Sequence, residues 1–68
     1  MSFKEKREME LLEKDMEALE NEKKQLDEQL ASGSLSYDQL QAASARIGVV
    51  MEQLDEKGLR WLELSELA

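Results

Sequence analysis

The sequence carries two hydrophobic stripes of the same spacing, separated by its only cluster of small and polar helix breakers. Met9, Leu12, Met16, Leu19, Leu26 and Leu30 recur at alternating steps of three and four, with Lys23 in the one position that breaks the series. Leu40, Ala43, Ile47, Val50, Leu54, Trp61, Leu64 and Ala68 repeat the pattern, with Lys57 as the exception. A repeat of about 3.5 residues keeps apolar side chains along one side of an α-helix, so each stretch needs another helix to cover it. Between the stripes lies Ala31-Ser32-Gly33-Ser34-Leu35, where Gly33 suits the left-handed turn that ends a helix. The expected fold is therefore all-α: a two-helix antiparallel coiled-coil hairpin forming a single unit. Its first helix covers about residues 3–31, its turn about 32–36 and its second helix about 37–67.

The helix starts support that division. Ser36-Tyr37-Asp38-Gln39 has the form of a capping box, and Leu35 and Leu40 are spaced as a hydrophobic staple around it. Ser2-Phe3-Lys4-Glu5 has the same form, so the first helix should begin near Phe3. Composition agrees, with 37% charged residues, 4% aromatics and no proline, the make-up of long helices rather than of a sheet.

The register follows from a layer rule. In an antiparallel pair the a positions of one helix share layers with the d positions of the other. That rule selects Leu26 with Leu40, Leu19 with Ile47, Met16 with Val50 and Leu12 with Leu54, and it is the register expected here. It sets Lys23 opposite Ala43, where a small side chain leaves room for the lysine stem while the ammonium reaches water. The register half a heptad away pairs Leu30 with Leu40 and Met9 with Trp61. Gly48 and Gly58 fall inside the second helix, where each costs about 1 kcal/mol relative to alanine. They mark either a close helix approach, a tolerated weakness, or a hinge near Gly58 that lets the segment with Trp61 adjust on a partner.

Catalysis has little to work with. A chain of 68 residues exposes too much of its surface to enclose a substrate cavity. It has no histidine and no cysteine, which removes the commonest general base and the usual zinc ligands. Carboxylates are abundant, as in Glu5, Glu8, Asp15 and Glu52, but acid-base work requires them desolvated in a cleft. On a rod they form a solvated face with surface pairs such as Glu10 with Lys14. Asp27-Glu28 and Asp55-Glu56 are adjacent helical positions and lack the sharp turn of a calcium loop. No glycine opens a phosphate-binding loop, so the chain holds no catalytic residue, metal site or cofactor of its own. No apolar run approaches the roughly 20 residues of a membrane span, and the N-terminus lacks the apolar core of a secretion signal. The expected location is cytoplasmic.

The net charge of -7 repels nucleic acid and anionic lipid at long range, so either must be met by a local basic patch. Lys4, Lys6 and Arg7 crowd the first turns, and the hairpin should bring Lys57 and Arg60 alongside them, with Phe3 and Trp61 in the same region. Cations interleaved with aromatics can hold a phosphate backbone and stack on a base. The competing reading is that Phe3 and Trp61 close the end of the apolar seam while the cations pair with Glu5, Glu8 and Glu63.

Two stretches also resemble a known family. Ser2-Phe3-Lys4-Glu5-Lys6-Arg7-Glu8, followed by Met9-Glu10-Leu11-Leu12-Glu13 and by Met16-Glu17-Ala18-Leu19-Glu20, is similar to the opening of the C-terminal domain of Uup-type ATPases. These belong to the ABC-F branch of the ATP-binding cassette proteins. Arg60-Trp61-Leu62-Glu63-Leu64 resembles the family's arginine-tryptophan ending, and the turn before Tyr37 sits where that family has its hairpin. The resemblance covers nearly the whole chain. It implies a parent ATPase with two cassettes that bind ATP and magnesium, no membrane domain, and a C-terminal coiled coil reached through a charged linker. It further implies partners in those cassettes and in DNA or ribosomal RNA, with Lys4, Lys6, Arg7 and Arg60 as the nucleic-acid-binding residues. The alternative is a stand-alone coiled-coil adaptor whose exposed seam pairs with another copy in a dimeric four-helix bundle.

Overall fold

The computed structural model describes residues 2–67. Helix α1 spans Phe3–Ser32 and helix α2 spans Tyr37–Glu66, packed side by side in a rod of 48 × 14 × 14 Å. Thirty residues in each helix give about 45 Å at a rise of about 1.5 Å per residue, so the helices alone account for the length of the rod.

Both capping boxes form. The Ser2 hydroxyl accepts from the Glu5 backbone N–H at 3.2 Å, and the Glu5 carboxylate accepts from the Ser2 backbone N–H at 3.3 Å. Ser36 and Gln39 repeat the arrangement at 3.3 and 3.0 Å. These bonds satisfy N–H groups that the first turn of a helix leaves without a carbonyl. At the other end of α1, Ser32 stays helical instead of opening the turn, and its hydroxyl donates to the Gln29 carbonyl at 2.7 Å. Gly33 then takes the left-handed conformation, with φ 68°, which a side chain would disfavour.

The turn decides the register. With only residues 33–36 between the helices, Ser32 and Tyr37 must lie nearly level, which is the register that sets Met9 against Trp61. The bonds across the seam agree with it. Arg46 donates to Glu22, Lys57 to Asp15 at 3.2 Å, Arg60 to Glu8 at 2.7 Å and Trp61 to Glu13 at 3.0 Å. With Leu12 against Leu54, Trp61 would sit about eight residues, or about 12 Å of rise, from the level of Glu13, beyond the reach of the two side chains. The register expected from the layer rule is therefore corrected. The rule takes no account of how few residues close the hairpin. In the observed register Lys23 shares its layer with Ile47 rather than Ala43. Its stem is half-buried and its ammonium lies 3.6 Å from Asp27, so the lysine leans along the seam as its position requires.

The core is one seam deep. Leu19, Ala43, Val50 and Leu64 are buried, and Val50 and Leu64 are fully so. Met9, Leu12, Met16, Leu26, Leu30, Ile47, Leu54 and Trp61 are half-buried, and Leu40, next to the turn, is exposed. Ala68 lies outside the described residues. The structure removes close helix approach as the reason for Gly48 and Gly58, because a methyl group at either position would meet nothing within 4 Å. Among the described residues no helix is long and apolar enough to cross a membrane.

Candidate nucleic-acid interface at the open end

The first turns of α1 and the last turns of α2 meet at the open end, but the four basic residues there divide into two environments. Arg60 faces Glu8 across the seam. Its Nε and Nη2 donate to the two Glu8 oxygens at 2.7 and 3.0 Å, and its Nη1 donates to Glu63 at 3.1 Å. Lys4, one turn before Glu8, adds its charge to the same carboxylate. The hydrogen bonds from Arg60, with the charges of Arg60 and Lys4 behind them, hold the Glu8 carboxyl below its ordinary value of 4.5. The two carboxylates in turn raise the Arg60 pKa, so the guanidinium stays charged.

Lys6 and Arg7 lie elsewhere on α1. They line a shallow groove on its outer surface together with Phe3, Glu10, Leu11 and Lys14. Phe3 is 82% exposed, so it does not close the apolar seam as one reading of the sequence had it. Its place on the helix explains this, since Phe3, Arg7, Leu11 and Lys14 follow one another at steps of three or four along the side opposite the seam. Among the described residues, the ion pairs within 4.0 Å include none with Lys4, Lys6, Arg7 or Lys14. The expected pair of Glu10 with Lys14 is absent for a simple reason: both side chains are exposed, where an ion pair gains little over separate hydration.

Lys57 and Trp61 also depart from expectation. Lys57 turns to Asp15 and does not join the basic group. Trp61 is half-buried, donates from its indole N–H to Glu13 at 3.0 Å, and lies beside Met16, Glu17 and Glu20. Glu5 serves the cap of α1 and, among the described residues, forms no ion pair within 4.0 Å. Its carboxyl is held below the ordinary value chiefly by the hydrogen bond from the Ser2 hydroxyl, then by that from the Ser2 backbone. Reading the sequence missed Lys14 and Leu11 as members of the groove, although their spacing from Phe3 and Arg7 was the signal for it. Among the described residues no group of three or more acidic side chains is placed to hold a metal ion.

Two helices in a rod with a one-layer seam, and a groove lined by Lys6, Arg7 and Lys14 near the open end, make the chain an all-α helical hairpin. The chain belongs to the ABC transporter C-terminal domain family, whose profile matches residues 1–66. A domain of this family is a non-catalytic part of an ABC protein. Comparison with curated proteins and with solved structures gives no match.

Proposed function

We propose that this hairpin is the C-terminal arm of an ABC-F protein of the Uup type. It contacts nucleic acid, either DNA or ribosomal RNA, through the open end, and so regulates the ATPase cycle of the cassettes in its parent chain. ATP and magnesium belong to those cassettes in this reading, and the parent protein is cytoplasmic. The observation that supports the nucleic-acid contact is the groove itself: an exposed phenylalanine beside Lys6, Arg7 and Lys14, with Glu10 the one carboxylate in the lining and no ion pair to these three cations among the described residues. Cations neutralise phosphates, and an exposed aromatic offers a face on which a base can stack. Lys4, Lys6 and Arg7 supply the charge. Arg60 joins by exchanging Glu63 or Glu8 for a phosphate, so it contributes less than the other three.

A salt series of binding to short duplex DNA and to structured RNA tests the contact. Replacing Lys4, Lys6 and Arg7 with alanine should flatten the slope of log affinity against log salt by about 0.9 per lost contact on duplex DNA. Failure to bind either polymer at low salt would remove nucleic acid from the reading. The ABC-F assignment has its own test, since the gene must encode two nucleotide-binding cassettes ahead of this hairpin. The adaptor reading draws on the exposed Met51, Leu59 and Leu62 of α2 and on the exposed Leu67 that caps it. It requires a stable dimer in sedimentation across a range of concentrations.

A further inference from the structure

One flank of the rod carries a surface that borders the seam at Leu54 and Trp61 and runs past the open-end groove, with which it shares only Lys6 and Glu10. On α2 a shallow apolar groove is lined by Leu54, Asp55, Gly58, Leu59 and Leu62, with Leu59 63% and Leu62 53% exposed. Its floor is Gly58, which has open space where a side chain would stand. Nothing inside the hairpin requires glycine at this position. One turn further on, Trp61 leans out of the seam on the same flank and bonds to Glu13. Beyond the indole runs a row of carboxylates on α1, Glu10, Glu13, Glu17 and Glu20, at steps of three and four and all exposed. Lys6 and Lys24 bound the row at its two ends, and no cation interrupts it. An apolar strip with a glycine floor thus lies alongside a line of negative charge.

We propose that this flank is a docking groove for a basic amphipathic helix of a partner. Its apolar stripe would lie over Gly58, Leu59 and Leu62 against Trp61, with its lysines or arginines along Glu13, Glu17 and Glu20. The missing side chain at Gly58 lets the incoming helix approach the backbone of α2. Charge selects the occupant. A second copy of the chain would set carboxylate row against carboxylate row and a net charge of -7 against another of -7, and nucleic acid is repelled by the same row. A cationic helix meets both the apolar strip and its acidic border. The inference is independent of nucleic-acid contact at the open end.

Trp61 is the only tryptophan, so its fluorescence reports on the groove directly. The probe is a synthetic tryptophan-free amphipathic peptide about four turns long, with leucines at helical spacing and lysines on both borders. A control peptide carries glutamates in place of the lysines. The lysine peptide should shift Trp61 emission saturably, and the glutamate peptide should not. Glu17→Gln/Glu20→Gln, which leaves the indole bond intact, should weaken binding by roughly tenfold if each charge pair contributes as at a rim. Gly58→Gln should weaken binding while the thermal midpoint of the free hairpin rises, a combination that a merely structural glycine cannot give. Equal binding of both peptides, or binding that Gly58→Gln leaves unchanged, overturns the proposal. So does absence of binding by the lysine peptide, or a dimer in sedimentation that Leu62→Lys dissolves, since the occupant is then a second copy.

Discussion

Arg60 closes the open end of the hairpin by grasping both carboxylate oxygens of Glu8, at 2.7 and 3.0 Å, across the seam between the two helices. The pair is half-exposed, so it fixes register and orientation more than it stabilises the fold. It also makes the end of α2 legible from α1, because the titration of one residue reports on the other. Glu8 should titrate below 4.5, with the Arg60 hydrogen bond as the largest cause. Arg60→Met should move its midpoint back up in a carboxyl-carbon NMR titration. Glu22, held down by Arg46 nearer the turn, should not respond. A Glu22 midpoint that moves with Arg60 would mean the helices slide as a unit, contrary to a register pinned at the turn.

The same lowered carboxyls fix the sign of the pH dependence. Glu5, Glu8 and Glu22 all lie below their ordinary value when folded. A group whose pKa is depressed by folding contributes stability that is present above its unfolded pKa and lost as pH falls through the folded one. Their contribution is therefore complete at neutral pH and declines below about pH 4.5, the ordinary glutamate value. Glu8→Gln should be less stable than the parent at pH 7, and the two melting temperatures should converge at the acid end. A gap of constant size across the titration would show that Glu8 acts through packing and not through its charge.

The two stripes, Gly33 and the capping boxes were readable because each is a local pattern with one physical solution. An apolar seam must be covered, and a serine three residues before a glutamate or glutamine closes on its own backbone. The register was not readable from layer arithmetic, since Leu12 against Leu54 and Met9 against Trp61 give equally apolar layers, and only the length of the turn separates them. At the open end Lys6 and Arg7 could be singled out as basic. Arg60's commitment to Glu8 depends on a contact between residues 52 apart in sequence, which no periodicity reveals. Phe3 was misread as seam closure in one alternative because its apolar character was weighed without its position on the outer side of α1.

Ser36 stands where the chain re-enters helix, so its cap matters to the hairpin as a whole. Its hydroxyl accepts the Gln39 N–H and Gln39 returns the bond to the Ser36 N–H. Ser36→Ala should cost about 1 kcal/mol in urea unfolding. Ser2→Ala, at the equivalent cap of α1, should cost a similar amount but leave the turn unaffected. Amide exchange of Gln39 and Leu40 should quicken in the first variant only.

Leu64 is fully buried although it lies close to the end of the rod, while Leu59, five residues earlier, is 63% exposed. Leu64→Ala should therefore cost about 2–5 kcal/mol, a loss that a one-seam hairpin is poorly able to absorb. Leu59→Ala should stay within about 0.5 kcal/mol of the parent, as surface substitutions do. Comparable losses from both would place the apolar groove of α2 inside a folded interface and not on a free surface.

The three glycines should respond to the same substitution with opposite signs. Gly33 sits at φ 68°, a conformation that costs a residue with a side chain roughly 1–2 kcal/mol, so Gly33→Ala destabilises by about that amount. Gly48 and Gly58 are helical, and a methyl group at either meets nothing within 4 Å. Gly48→Ala and Gly58→Ala should each stabilise the free hairpin by about 1 kcal/mol, the helix-propensity difference with no steric penalty to set against it. Chemical denaturation of the three single variants and of the Gly48→Ala/Gly58→Ala pair measures this. The two gains should add, because the positions are ten residues apart and share no contact. A loss of stability at Gly58 would mean that α2 bends there in solution, restoring the hinge reading against the uninterrupted helix Tyr37–Glu66.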